Sequence, residues 1–190
     1  TPVLNAQMAP DGRHLYYNTV IKGKTAIATA ERKSVKEEWR PAGMLEIADT
    51  ESSPLTFYNI YNASKKMLVG KEGDIWVATK EGKDWKLTEK LPAPVNTEYF
   101  EGDAFMIPDG SGILLVSDRP NGQNFQTSGA YFHGDTARAT DIYFVPHTSS
   151  GWGEAVNLGI NVNSSCCERS PILSKDLRTL YFVTDARVGL

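Results

Sequence analysis

The sequence predicts an all-β fold in which one small antiparallel sheet is repeated along the chain. Two observations carry this prediction. Short runs of valine, isoleucine and aromatic residues alternate with Asp-Gly and similar turn signals, and no long segment has helical periodicity. One pattern of residues also returns roughly every 48 positions, which is typical of a repeat architecture.

The composition is that of an ordinary globular protein. Hydrophobic residues make up 41% and charged residues 23% of the 190 residues, and the formal net charge is −3. A nucleic-acid-binding protein would carry a basic excess, so we expect no nucleic-acid partner. No apolar run reaches the length of a membrane-spanning helix, so we expect no direct membrane span.

The repeat is clearest in two segments, EGDAFMIPDGSGILLVSD at 101–118 and ERSPILSKDLRTLYFVTD at 168–185. In each, an aspartate follows the first glutamate by eight positions, and a second aspartate follows the first by nine. The first of these aspartate places recurs with spacings of 48, 50 and 67 residues, at Asp11, Asn59, Asp109 and Asp176. The longest spacing contains a polar, glycine-rich insertion at 119–140, which predicts a loop.

The second half of each unit repeats as well. GDIWVATKEGKDW at 73–85 aligns with TDIYFVPHTSSGW at 140–152, and a weaker copy ends at Trp39. Each unit therefore predicts four strands: one before the Asp-Gly-type turn, an apolar second, an alternating third, and a fourth that starts at the tryptophan. Four short strands per repeat are typical of a β-propeller blade.

The predicted units are 1–47, 48–97, 98–163 with the inserted loop 119–140, and an incomplete unit at 164–190. The prediction is thus a β-propeller of four-stranded antiparallel blades with about three and a half blades present. Because open sheet edges are tolerated only when they are short and protected, we expect the chain to be a segment of a larger propeller.

Three stretches, MAPDGRHLYYN, SPILSKDLRTLYFVTD and DIYFVPHTSSGWGEAVNLGINVN, resemble the WD40-like β-propeller repeat typified by TolB. The resemblance covers nearly the whole chain and is weakest in the second unit. It implies a periplasmic, outer-membrane-associated or extracellular bacterial protein, since this repeat is common in the envelope of Gram-negative bacteria. A propeller supports many activities, so the resemblance indicates the fold more than the function.

Three glutamates, Glu51, Glu101 and Glu168, recur at the entry to the first strand of a unit. The first strand of a propeller blade lines the central channel, so these carboxylates could form an acidic rim at one mouth. Such a rim would bind a cation or a basic segment of a partner. The alternative is that each carboxylate accepts hydrogen bonds from backbone N–H groups and has a purely structural role.

The inserted loop contains the other candidate binding residues. Long insertions on a rigid scaffold often carry recognition, and this one offers Tyr131, His133, Asp135 and Arg138. A His-x-Asp pair supplies too few ligands for a metal site, so we expect no bound metal and no cofactor. Cys166 and Cys167 would point to opposite faces of a strand and are expected to be free thiols.

Other repeated residues are expected to support the fold. Asp74, Asp118, Asp141 and Asp185 stand at strand ends, where short acidic side chains cap turns. The tryptophans at the start of the fourth strands are expected to pack between blades. They are Trp39, Trp85 and Trp152.

The sequence contains no catalytic constellation, because it lacks a nucleophile elbow and a phosphate-binding glycine loop. The function expected is therefore a non-catalytic scaffold that binds a protein or peptide partner in a bacterial cell envelope. The alternative is the gating propeller of a prolyl-oligopeptidase-like serine peptidase, or of another propeller hydrolase such as a sialidase or lactonase.

Overall fold

In the computed structural model, the structure describes residues 3–48, 53–120, 122, 131–132, 135–136 and 139–185. These residues form an all-β fold, and none of them lies in a helix. The chain divides into two compact units, Thr1–Leu91 and Pro92–Leu190. The first unit contains two sheets that follow one another in the sequence, and the second contains two such sheets and a short two-stranded hairpin.

The first sheet has four strands in sequence order, and each neighbouring pair is antiparallel. They are β1 (Val3–Met8), β2 (His14–Ile21), β3 (Lys24–Glu31) and β4 (Arg40–Met44). Lys22 and Gly23 connect β2 to β3 with φ values of 50° and 77°. Two consecutive left-handed residues are the requirement of a type I′ turn, whose twist matches that of the paired strands.

The second sheet has five strands in the order β5-β9-β8-β7-β6, and only the short β5 is parallel to its neighbour. They are β5 (Ile47–Ala48), β6 (Thr56–Tyr61), β7 (Lys66–Lys71), β8 (Asp74–Glu81) and β9 (Asp84–Lys90). Glu72 and Gly73, with φ values of 57° and 86°, repeat the turn seen between β2 and β3.

The core of the first unit lies between its two sheets. Tyr16 and Ile27 of the first sheet share one buried cluster with Phe57, Met67 and Val69 of the second. The rings of Tyr16 and Phe57 are 5.8 Å apart. Burial of these side chains is the main stabilising term for the pair of sheets, because each fully buried large apolar side chain contributes about 1.5–3 kcal/mol.

The third sheet, in the second unit, has the path β10-β11-β14-β15, with β16 also paired to β14. Its strands are β10 (Glu101–Met106), β11 (Gly112–Ser117), β14 (Asp141–Thr148), β15 (Gly151–Trp152) and β16 (Val156–Asn157). Between β11 and β14, β12 (Tyr131–Phe132) and β13 (Asp135–Thr136) form a separate short hairpin. The fourth sheet consists of β17 (Glu168–Leu173) and β18 (Leu180–Thr184).

The second unit repeats the packing of the first. Leu114 and Ile142 of the third sheet lie in one cluster with Leu173, Leu180 and Phe182 of the fourth. The strand register makes the two cores comparable, because Val116 pairs with Ile142 as Asn18 pairs with Ile27. In both units, the same face of the earlier sheet therefore packs on the sheet that follows it.

The strand that precedes each Asp-Gly-type turn place has a β-bulge, in β1, β6, β10 and β17. The third residue of β1, β10 and β17 has a positive φ: 48° at Asn5, 42° at Asp103 and 50° at Ser170. The register shifts at this place in each strand. In the second unit the bulges also join the two sheets, because the Ser170 N–H donates to Asp103 Oδ2 at 3.0 Å.

The repeated aspartates cap the turn between the first and second strands. Asp11, Asp109 and Asp176 each accept the backbone N–H two residues ahead, at 2.8, 2.9 and 3.2 Å. The prediction is wrong for Asn59, which lies inside β6 and is buried, because the turn is formed by residues 62–65. YNIYNAS contains two asparagines three positions apart, and the second, Asn62, is the one in the turn.

Candidate functional site

The two glutamates that the sequence placed at a channel mouth are buried in the second unit. Glu101 and Glu168 both have 0% exposure, so neither carboxylate faces solvent as a rim would require. Their oxygens accept hydrogen bonds from other groups of the protein, as expected if the two carboxylates support the fold. Glu51, the third member of the predicted rim, lies outside the described residues.

Glu101 joins three parts of the second unit. Its Oε2 accepts the Thr97 N–H at 2.9 Å, and its Oε1 accepts the hydroxyls of Thr97 at 2.5 Å and Ser117 at 3.0 Å. Arg119 Nη2 donates to the same Oε1 at 3.1 Å. A buried carboxylate needs such donors, because an unpaired charge out of water is strongly destabilising.

Glu168 repeats most of this arrangement in the fourth sheet. Its Oε2 accepts the Ser164 N–H at 3.0 Å, and its Oε1 accepts the Ser164 hydroxyl at 2.5 Å. The Thr184 hydroxyl donates to Oε1 at 2.7 Å. The hydroxyl donors stand four residues before and sixteen residues after the glutamate in both copies. The repeated partner positions could have been found in the sequence, but only by searching for hydroxyl residues at fixed distances from each glutamate.

Arg119 is the feature that the two copies do not share within the described residues. Its guanidinium donates to the carbonyl oxygens of Pro94 at 3.1 Å and Val95 at 3.0 Å, and its side chain is only 10% exposed. It also lies over the Tyr143 ring, 5.0 Å from the centroid. Arg119 is also the first residue of the predicted inserted loop, so no pattern in the sequence indicates that its side chain is buried.

The inserted loop is described only in part. Tyr131 and Asp135 begin the two strands of the short hairpin, in which Tyr131 pairs with Thr136 and Phe132 with Asp135. His133 and Arg138 lie outside the described residues. The role of this loop in recognition stays a prediction.

The remaining repeated side chains stabilise local structure. Asp118 accepts the Phe100 N–H at 2.8 Å, and Asp141 accepts from the Asn157 amide at 2.7 Å. Asp74 and Asp185 instead form ion pairs, with Lys90 and Arg169 respectively.

Of the three tryptophans, Trp85 packs between two sheets, against Tyr16. Trp39 lies under the Arg32 guanidinium, and Trp152 contacts His147 of its own sheet. Cys166 and Cys167 are free thiols, half-buried and buried respectively.

A solvent-accessible cavity in the first unit brings together polar groups that the sequence did not connect. It has a volume of about 710 Å³ and lies among the β1–β2, β6–β7 and β8–β9 turns. Asp11, His14, Tyr16, Lys65 and Lys80 are among its lining residues. Volumes of this size are typical of sites that bind small molecules or side chains of a partner.

The carboxylate in this cavity is already fully engaged. Asp11 Oδ2 is 2.6 Å from His14 Nδ1, and Oδ1 accepts the N–H groups of Arg13 and His14. Partial burial alone would raise the pKa of Asp11, but these hydrogen bonds and the nearby imidazole lower it overall. Burial, with a smaller contribution from Asp11, raises the pKa of Tyr16. Asp11 is thus an ionised partner of His14, and Tyr16 stays neutral.

Comparisons with known proteins add no relative to this picture. No protein-family model matches the sequence, and a search of curated proteins finds no match. Within the described residues, no three His, Cys, Asp or Glu side chains are grouped so that they could hold a metal ion. No helix of suitable length and apolarity to cross a membrane occurs in the part of the chain that the structure describes.

Proposed function

We propose that this chain is a non-catalytic scaffold that binds a protein or peptide partner in a bacterial cell envelope, and that its sheets are blades of a β-propeller. The observation that carries the proposal is the recurrence of one packing scheme. In each unit the equivalent face of one sheet packs on the next sheet, through Tyr16 and Ile27 or through Leu114 and Ile142. Serial packing of this kind is how propeller blades are joined.

The exposure of the fourth sheet supports the propeller. Tyr181 and Val183 occupy the places that Leu114 and Val116 occupy in the third sheet. Leu114 and Val116 are 4% and 2% exposed, whereas Tyr181 and Val183 are 59% and 52% exposed. In a propeller, a further sheet would cover this apolar face in the way that the fourth sheet covers the third.

The glutamate networks support a rigid scaffold. Glu101 and Glu168 each tie the segment that precedes a first strand to the second strand of the same sheet. A buried and fully hydrogen-bonded polar network fixes one arrangement of its groups. Loops carried on such a frame are held in place for a partner, and the binding residues are then expected on loops and turns.

Affinity capture from Gram-negative envelope extract tests the proposal. The immobilised chain is compared with a variant in which residues 123–138 are replaced by a short Gly-Ser linker, and cytosolic extract of the same cells serves as the control. We expect one envelope protein to be enriched by the unaltered chain and lost with the linker variant. Equal recovery from both extracts, or no enriched protein, would contradict the scaffold role. Capture of a serine hydrolase would favour the gating alternative.

A further inference from the structure

The cavity of the first unit has an excess of positive charge. We propose that this cavity, called here the basic cavity and defined by Asp11, His14, Ser64, Lys65 and Lys80, binds a carboxylate-bearing ligand, specifically an acidic side chain of a peptide. The site lies wholly within the first unit, so it does not depend on how the two units are arranged. It differs from the inserted loop and from the predicted glutamate rim.

Two lysines lie opposite each other at the basic cavity. Lys66 pairs with Thr79 across β7 and β8, and the Lys80 N–H donates to the Lys65 carbonyl at 2.9 Å. Lys65 and Lys80 therefore stand opposite one another at the end of this strand pair, and both line the basic cavity. Like charges directly opposite each other destabilise a sheet, unless a counter-ion lies between them.

The described residues supply no such counter-ion for Lys65 and Lys80. Asp11 is the one carboxylate that lines the basic cavity, and its oxygens are bound to His14 and to two backbone N–H groups. The nearby Glu81 forms its ion pair with Lys86, at 3.0 Å. Neither Lys65 nor Lys80 forms an ion pair with a described carboxylate. Lys80 lies over the Trp85 ring, 6.0 Å from the centroid.

The turns around the basic cavity bring His14 and Ser64 close to the lysines. Asp11 binds His14 through Nδ1, which leaves Nε2 as the ring nitrogen that can contact a ligand. Asn62, Ala63 and Ser64 have φ values of 49°, 52° and 64°, an unusual run of three left-handed residues without glycine. This turn brings Ser64 and Lys65 to the wall of the basic cavity. A carboxylate has two oxygens that can accept from separate donors of this kind.

The experiment measures binding of a triglutamate peptide to the full chain by calorimetry, with triglutamine as the uncharged control and citrate as a free small carboxylate. We expect triglutamate to bind, triglutamine not to bind, and the affinity to fall as salt is added, because the lysines are exposed. Binding of citrate together with triglutamate supports the site. Binding of citrate alone contradicts the assignment to a peptide side chain.

Variants then locate the site. Lys65→Gln with Lys80→Gln is expected to weaken triglutamate binding about five-fold or more, which is the effect of two partly exposed ion pairs. Lys24→Gln is the matched control, because Lys24 is an exposed lysine at the opposite end of the first sheet. Circular dichroism confirms that each variant is folded. Equal weakening by the control, or no change in the double variant, would overturn the proposal, as would absence of triglutamate binding. These results do not depend on the capture experiment, since the probes are defined.

Discussion

The Glu101 network provides the sharpest test of the structure. Replacing Glu101 with alanine removes the acceptor of four hydrogen bonds and leaves the Arg119 guanidinium, whose side chain is 10% exposed, without its counter-charge. Removal of one partner from a buried ion pair costs about 3–5 kcal/mol. We therefore expect Glu101→Ala to lower the free energy of unfolding of the second unit by about that amount.

Two further substitutions separate this effect from a general loss of a glutamate. Glu168→Ala also removes a buried acceptor, but the three described donors to Glu168 are uncharged, so no cation is left unpaired. We expect a smaller loss of about 1–3 kcal/mol. Glu154 is an exposed glutamate of the same unit, and Glu154→Ala is expected to change the stability by less than about 0.5 kcal/mol.

The assay has to report on the second unit alone, because the two units need not unfold together. Hydrogen-exchange mass spectrometry in increasing urea gives the opening free energy of peptides from residues 97–119. The midpoint of thermal unfolding of this unit should fall by more than about 12 °C in Glu101→Ala, at about 4–8 °C for each kcal/mol. A loss below about 1 kcal/mol, or equal losses for Glu101→Ala and Glu154→Ala, would refute the role assigned to Arg119 and the buried carboxylate.

Two predictions concern pH, because the pKa values of Asp109 and Tyr61 differ from their ordinary values. Hydrogen bonds from Ser111 lower the pKa of Asp109 below 3.8, so Asp109 contributes stability that is present above this value and lost as the pH falls through the folded-state pKa. Urea unfolding below pH 4 should therefore depend less on pH in Asp109→Asn than in the unaltered chain, and equal slopes would contradict this. Burial, and secondarily Glu89, raises the pKa of Tyr61 from 10.0 to about 12. Its contribution is thus complete below pH 10 and lost as the pH rises towards 12. A spectrophotometric titration should lose a tyrosine that ionises near pH 12 in Tyr61→Phe, and an unchanged curve would count against the burial of Tyr61.

Local patterns were sufficient to predict the strands and most hairpins. Alternating residues such as those of β8 predict a half-buried strand, and Asp11, Asp109 and Asp176 each bind the backbone two residues ahead. Both effects act over a few residues, so they are visible in the sequence. The turn predicted at Asn59 was wrong, because the residue type alone does not distinguish a buried strand asparagine from a turn asparagine. Only the strand register distinguishes them.

The candidate site was harder to predict because its groups come together over long sequence distances. The sequence shows that the glutamate recurs at Glu101 and Glu168, but not that both side chains are buried. Each carboxylate can be buried because hydroxyl groups four residues before it and sixteen residues after it donate hydrogen bonds to it. The basic cavity combines His14, at the start of β2, with Lys65 and Lys80 at the end of the β7–β8 pair. The two lysines meet through strand pairing, but His14 reaches them only because the first sheet packs on the second, and no spacing in the sequence shows that packing.

Repetition and function leave different marks in a chain of this kind. A residue that returns from one sheet to the next serves what the sheets have in common, which is folding and stacking, and the buried Glu101 of the third sheet and Glu168 of the fourth fit that description. A ligand, in contrast, breaks the equivalence of the units, because it contacts some of them and not others. The opposed Lys65 and Lys80 have a cationic counterpart in the first sheet, where the Arg32 N–H donates to the Arg13 carbonyl, but none at the equivalent turns of the third sheet, where Ser111 and His147 stand. Departures from the repeat are therefore the better indicators of binding in this protein, and the lysine substitutions test that reasoning directly.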